Sequence, residues 1–580
     1  MLVRILSAVL FVTLLAFGVS QAADGSHRSA VGQQVESFTL DNCYGKPVSL
    51  SDFRSAEAVA IVFLGTECPL AKLYGPRLTE IQHRYEDGRV QIIGVNSNKQ
   101  DSLTELAAYV HRHQIDFPML KDPGNKIADA LGAQRTPEVF LLDSEGTVQY
   151  HGRIDDQYGV GYSKERDAKP ELTLAIDSLL SGEPIKVPST EPVGCHIGRI
   201  KELQPSGSVT FNKHIAPIFN SKCVSCHRDG EIAPFTLGSY DDALGWEDTI
   251  LEVIDDNRMP PWFADPSHGK FANDARLSPR ERELIETWVD NGMPEGDPSD
   301  LPEPPKFADG WQMPEPDQVI MMRDKPFAVA AEGVLDYQRF VVDPKWDEDK
   351  YIIAAEARPD QRAVVHHILV YVIPPGKKRR DLRQVLAGYA PGSPPMKLSE
   401  GIALHVQAGS KLLFEMHYTP NGTATEDLSY VGFQFTDKSN VRHHLKGRAA
   451  ANNKFKIPAF ESNHAVTATY VSKEDESLIS MSPHMHLRGK AFRYDVRYPD
   501  GRTDVLLNVP NYDFNWQLKY ILEEPMLLPK GTKIKCTAVF DNGKSNLTNP
   551  DPTKPVVWGD QSFEEMMIGF MDTIPASEVR

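Results

Sequence analysis

Basic residues are in short supply. Lysine and arginine number 62 against 80 aspartates and glutamates, for a net charge of -18. Such a chain has no broad cationic face for phosphates, so nucleic acid is excluded as a main partner. The acidic surface serves solubility. Cysteine is scarce as well: six in 580 residues, too few for a scaffold built from disulfides. Beyond Ala22 no stretch is apolar for long enough to cross a bilayer, so no membrane span is expected. No internal repeat of short period is found. At this length a single hydrophobic core does not suffice, and roughly three or four domains are expected.

The N-terminus has the pattern of an export signal. Arg4 precedes an apolar run over residues 5–18, too short for a stable span, and the small residues Ser20 and Ala22 stand at signal-peptidase spacing. Residues 1–22 are therefore expected to be a cleaved signal peptide, leaving a periplasmic or extracellular protein. No cysteine follows at once, so no lipid anchor is expected.

The chain then changes character twice. Residues 31–187 alternate strand-like runs ("VAIVFLG", "VQIIGVNS", "TPEVFLLD") with helical stretches near residues 70–85, 102–113 and 171–180, which predicts an α/β domain. The Pro-rich "SGEPIKVPSTEPVG" reads as a linker. Residues 206–297 are helical, closing with a capping box of Ser278, Pro279 and Glu281. A second Pro-rich segment spans residues 298–312. Beyond it, short alternating segments broken by Gly, Pro, Asn and Asp predict β-sandwiches over residues 313–446 and 447–580.

The most specific motif is "CVSCH", residues 223–227. CxxCH is a haem-attachment sequence: Cys223 and Cys226 add to the haem vinyl groups and His227 ligates the iron. For the sixth ligand the preferred residue is Met259, stiffened by the two prolines of "RMPPWF". His214, His268 and Met293 are rivals better read as surface histidines and a core methionine. Residues 206–296 resemble a small class I cytochrome c domain, which implies electron transfer through a covalent haem c.

Histidines and a methionine recur in the last part: His366 and His367 in "VVHHILVYV", His417 in "LLFEMHYTP", His484 and His486 in "SPHMHLRGK", and Met566 in "FEEMMIGFMD". A histidine in an apolar strand must be hydrogen-bonded or metal-bound. Residues two apart on a strand share a face, so His484 and His486 can grip one ion. Adjacent His366 and His367 need a bulge or strand end to do the same. Imidazole with thioether points to redox copper more than to zinc. Taken in order, these motifs resemble the copper type II, ascorbate-dependent monooxygenases, peptidylglycine α-hydroxylating monooxygenase and dopamine β-monooxygenase.

The resemblance runs from about Trp311 to the C-terminus. It implies two jelly-roll sandwiches and two copper ions, one on His366, His367 and His417, the other on His484, His486 and Met566. It further implies that the second site binds O2 and abstracts hydrogen from a C–H bond while the first passes on an electron. Met567 and Met571 are alternative thioethers. The disulfides of the animal members are absent, since only Cys536 lies in this region. Tyr418, "NYDFNWQ" around Trp516, and His443 with His444 read as packing and surface.

In "FLGTECPLAKLY", Cys68 follows a buried strand and starts a helix, where the helix dipole lowers a thiol pKa. Pro137 precedes a strand, and residues 31–181 resemble a thioredoxin-like redoxin domain. Ala71 replaces the second cysteine of a CxxC, so Cys68 is open to several roles: a one-cysteine peroxidase or sensor, a partner of Cys195 or Cys43, or a remnant.

The fold expected is thus multidomain: a thioredoxin-like α/β domain, a small all-α cytochrome c domain and two all-β jelly-roll sandwiches. The function expected is an exported copper monooxygenase acting on a small-molecule or peptide substrate with O2. Its electrons would come from an external donor through haem, or from ascorbate or another small reductant. The alternatives are a non-catalytic copper and haem carrier, or a peroxide-reducing redoxin with Cys68 as its active thiol.

Overall fold

In the computed structural model, residues 29–576 are described apart from 86, 165–167, 202–204, 230, 232, 308–309, 332–334, 378–383, 391–393 and 421–423. The expected signal peptide, residues 1–22, lies outside the described residues.

The first domain consists of β1 (Thr39–Asn42), β2 (Pro47–Ser49), β3 (Ala58–Phe63), α1 (Pro69–Arg84), β4 (Val90–Asn96), α2 (Leu103–Arg112), β5 (Met119–Lys121), α3 (Lys126–Leu131), β6 (Arg135–Thr136), β7 (Glu138–Asp143), β8 (Val148–Gly152) and α4 (Glu171–Leu180). Seven strands form one sheet in the order β2-β1-β5-β4-β3-β7-β8. β3 pairs parallel to β4 and antiparallel to β7. Every residue of β3 is buried, as an unbroken apolar run requires of a strand covered on both faces. Leu78, Tyr109 and Ile176, from α1, α2 and α4, pack on one face; Ala128 and Leu131 of α3 pack on the other.

The Pro-rich stretch after α4 does not hang free. Ser189 bridges to His151 of β8, and Cys195–His196 pairs antiparallel with Arg135–Thr136 of β6. The expected linker is a strap laid across the first domain.

The helical unit holds α5 (Ala216–Lys222), α6 (Tyr240–Ala243), α7 (Glu247–Asp255) and α8 (Pro279–Asp290) around Phe211, Phe219 and Trp288. α8 starts as its sequence predicts: Ser278 Oγ accepts from the Glu281 amide and Glu281 accepts from the Ser278 amide. The unit's central stretch was not legible as a separate feature. Trp262, Ala264 and Phe271 leave the helical core and enter that of the last sandwich, where Phe271 bridges to Leu522.

Two sandwiches complete the chain. In the first, a sheet ordered Gln338–Val342, Lys411–Tyr418, Val365–Ile373, Val385–Tyr389 faces one built on Lys350–Arg358 and Tyr430–Phe435. In the second, Lys446–Ala451, Ile568–Pro575, Glu476–His484 and Tyr520–Leu528 form one sheet, and His464–Val471, Lys533–Phe540, Gly489–Arg497 and Thr503–Val509 the other. The molecule is thus multidomain, with a thioredoxin-like α/β domain followed by helical and β-rich parts. No helix among the described residues is long and apolar enough to cross a membrane.

Candidate functional site

The HH motif sits where a strand breaks its register. Val365 pairs with Tyr418 and His367 with His417, so the ladder between Lys411–Tyr418 and Val365–Ile373 skips a residue at His366. This is the bulge that two adjacent histidines need in order to face one point. The ligating nitrogens of His366, His367 and His417 lie within 4.8 Å of one another, the geometry of a single-ion site.

The second pair stands at the end of Glu476–His484, with its rings 5.3 Å apart. His484 lies opposite Ile568 on the adjacent strand, which places Met566 just beyond the end of that pairing. Glu565 ties the two segments together: its buried carboxylate accepts from the His486 amide at 2.9 Å and the Arg488 amide at 2.6 Å. Burial pushes the Glu565 carboxyl up to about 8 against those bonds. Of the three candidate thioethers, Met567 and Met571 are spent in the core, whereas Met566 is partly exposed.

Aromatic rings join the two sets. Tyr337 lies 4.7 Å from His417, 5.3 Å from His367 and 6.5 Å from His486 by ring centroids. Phe514 stacks on His366 at 5.0 Å and reaches His486 at 5.9 Å. Gln517 accepts from His484 Nδ1 at 3.0 Å, because its own amide group is turned to the Phe514 carbonyl. That leaves His484 Nε2 as the lone-pair nitrogen. The "NYDFNWQ" run, expected to be packing, therefore lines both histidine sets. Neither it nor Tyr337 nor Glu565 could be found by periodicity, since each meets its histidines only through tertiary contact.

Burial keeps all five imidazoles neutral: His366 falls to about 4 and His486 to about 3, while His367, His417 and His484 are also lowered. Neutral imidazole is the ligating form. His366 Nε2, His417 Nδ1 and His486 Nε2 are buried without a hydrogen-bond partner. A buried orphan nitrogen is costly unless something occupies it, and the residues fit soft or borderline metal ions.

At the CxxCH motif, the Cys226 and His227 amides both donate to the Cys223 carbonyl, at 3.0 and 2.9 Å, so the chain turns tightly there. His227 Nδ1 lies 3.0 Å from the Phe235 carbonyl, which can only accept. The proton is thereby held on Nδ1 and the lone pair on Nε2, the tautomer an axial histidine would need. A cleft between Cys226, Glu231, Arg358, Arg362 and Tyr389 joins this motif to the first sandwich. Met259 lies in the loop after α7, partly buried, and Met293 is a core side chain as expected.

Cys68 is the N-cap of α1 and fully buried. Its thiol donates to the Thr136 carbonyl at 2.9 Å, and the Thr136–Pro137 peptide is cis. Burial pushes the thiol up, but hydrogen bonds from Cys195, Ala71 and Thr136 outweigh it and bring Cys68 down to about 6. Of the open partners, Cys195 is the one beside it. All six cysteines are free thiols here.

Comparison with known proteins bears on the first domain. The AhpC/TSA family model matches residues 31–151. The chain is 27% identical over 117 residues to the thiol-disulfide oxidoreductase ResA of Halalkalibacterium halodurans, a match covering 20% of this chain and 65% of ResA. It is 26% identical over 126 residues to the chloroplastic peroxiredoxin Q of Triticum aestivum, covering 20% of this chain and 57% of that protein. Among solved structures, the hypothetical protein SMc02350 from Sinorhizobium meliloti 1021 is 27% identical at a TM-score of 0.28, covering 30% of this chain and 97% of that one. The first domain is a thioredoxin-like redoxin domain, and the chain spans about two thirds of the ResA it matches.

Proposed function

We propose that this protein is an exported copper-dependent oxidoreductase that hydroxylates an organic substrate with O2. One copper would be held by His366, His367 and His417, the second by His484, His486 and Met566. The observation that carries this reading is the convergence of five neutral imidazoles, His367, His417 and His486 buried and His366 and His484 half-buried, three of the five with orphan ring nitrogens, at the facing edges of two sandwiches. Copper there supplies one-electron chemistry and O2 activation. The chain's own contribution is positional: the His366 bulge aims the first set, Glu565 locks the HxH turn to the methionine segment, and Gln517 fixes the His484 tautomer.

A covalent haem on Cys223 and Cys226, with His227 as axial ligand and Met259 as the proposed sixth, would deliver electrons from an external donor. Ascorbate or another small reductant could do so directly. The test is reductant-driven O2 consumption by copper-loaded protein, screened over C–H substrates including small amines and peptides. Activity lost in both His484→Ala and Met566→Ala supports the reading. Full activity in either variant contradicts it.

A second reading is favoured by a separate observation, the place of Cys68 at a helix N-terminus of a redoxin domain, with its thiol bonded to the carbonyl before a cis-proline. On that reading the first domain carries out thiol chemistry of its own, independent of the sandwiches. Cys68→Ser then abolishes thiol-dependent turnover while the copper-ligand variants retain it.

A further inference from the structure

Ala71 stands where a CxxC would have its second cysteine, yet Cys68 is not alone. The strap after α4 returns to β6, and its Cys195 takes the register position opposite Thr136, the residue whose carbonyl accepts from the Cys68 thiol. Gly194 permits that approach: a Cβ there would lie 2.0 Å from the Thr136 oxygen. Arg135 holds the strap by donating to the Gly194 carbonyl at 2.7 Å. Cys195 packs against the core that contains Cys68, and also against the core of the helical unit. His196 extends the junction, its amide donating to Thr249 Oγ1 at 3.2 Å and its ring meeting Glu252 at 2.6 Å.

We propose that Cys68 and Cys195 form a redox-active dithiol–disulfide pair, with the second cysteine supplied by the strap instead of the helix, and that its exchange partner is a low-molecular-weight thiol or disulfide. This rests on the thiol reading of the first domain. A small partner is favoured because the β6 edge beside Cys68 is already covered by the chain's own strand. A polypeptide would have to displace that strand.

The two sulfurs have distinct roles. Cys68 is wholly buried, whereas Cys195 is partly exposed, so exchange enters at Cys195. In oxidation, the Cys195 thiol, whose pKa is raised by its hydrogen bond to Cys68, passes its proton to the Cys68 thiolate as its sulfur attacks an external disulfide RSSR. A mixed disulfide forms, and the departing thiolate takes the proton from Cys68 and leaves as one RSH. The Cys68 thiolate then attacks the Cys195 sulfur, forms the internal disulfide and releases the second RSH. The pair loses two electrons and two protons, and RSSR gains them. In reduction, an external thiolate attacks the Cys195 sulfur and Cys68 departs. Contact with Cys195 and Thr136 lowers the Cys68 pKa, which makes Cys68 the better leaving group.

The test equilibrates the full chain in glutathione redox buffers, traps free thiols and maps linkages by peptide mass spectrometry. Wild type should form a Cys68–Cys195 disulfide. Cys68→Ser should accumulate a glutathione adduct on Cys195, and Cys195→Ser should leave Cys68 largely unmodified. Cys43→Ser should behave as wild type. A linkage of Cys68 to Cys43, or a stable adduct on Cys68 with Cys195 free, would overturn the pair while leaving a reactive Cys68. Both thiols remaining free across all buffers would overturn the pair and the thiol reading together.

Discussion

His367 and His417 face each other directly across two antiparallel strands of the first sandwich, and His366 joins them only because the ladder skips a residue there. Restoring regular pairing would turn His366 to the opposite face. The three-histidine set is therefore a property of the bulge as much as of the residue types.

Glu565 is the clearest case of a residue that acts through others. It accepts from the amides of both His486 and Arg488 inside the core. Glu565→Ala leaves two buried donors unpaired, at about 1–3 kcal/mol each. Its thermal unfolding midpoint should fall by several degrees and metal at the second site should be lost, while the first site stays loaded. Glu565→Gln, which keeps one acceptor, should fall between. Unchanged copper content in Glu565→Ala contradicts the role.

Burial pushes the Cys68 thiol up, but hydrogen bonds with Cys195, Ala71 and Thr136 outweigh it and bring the thiol down to about 6 from the ordinary 9.0. Because its folded pKa is depressed, the folded state binds fewer protons than the unfolded state between those values, and stability should rise with pH across that window. The gain is complete above 9 and lost as pH falls through 6. Denaturant midpoints compared for reduced wild type and Cys68→Ala should diverge as pH rises through the window. Thiolate absorbance should show a midpoint near 6 that moves up in Cys195→Ala. A midpoint near 9 in wild type contradicts the contact.

Phe271 couples the helical unit to the second sandwich, packing at 5.8 Å on Trp262 and 5.5 Å on Tyr520 by ring centroids. Phe271→Ala should cost about 3–5 kcal/mol in the unfolding of that sandwich and open the stretch from Trp262 to Phe271 to limited proteolysis. Wild-type protease resistance would show that this stretch holds without it.

Haem attachment at Cys223 and Cys226 predicts a haemochrome spectrum that survives acid-acetone extraction when the chain is matured in a periplasm with its haem-ligation machinery. Cys223→Ala with Cys226→Ala should carry no covalent haem. A wild-type chain without covalent haem after such maturation contradicts the assignment.

Much of this was legible in the sequence. Buried runs such as "VAIVFLG" announced strands, Ser278 and Glu281 announced α8, and adjacent His366 and His367 demanded the irregularity that the ladder shows. What stayed hidden depends on contacts between distant residues. Phe514 and Gln517 looked like filling in an aromatic loop, yet they touch His366 and His484. The strap looked like a linker because proline composition signals a break in secondary structure, not whether the segment lies against a domain. Cys195 is separated from Cys68 by most of the redoxin domain, and no local pattern reports such a pairing.

The central claim is best tested by counting metal. Copper and haem per chain should be measured in protein matured in a periplasm, loaded with copper and freed of loosely bound ions. Two coppers per chain, falling to one in His417→Ala and to one in His484→Ala, is the predicted result. No tightly bound copper in the folded wild-type chain, or an unchanged count in both variants, would contradict it.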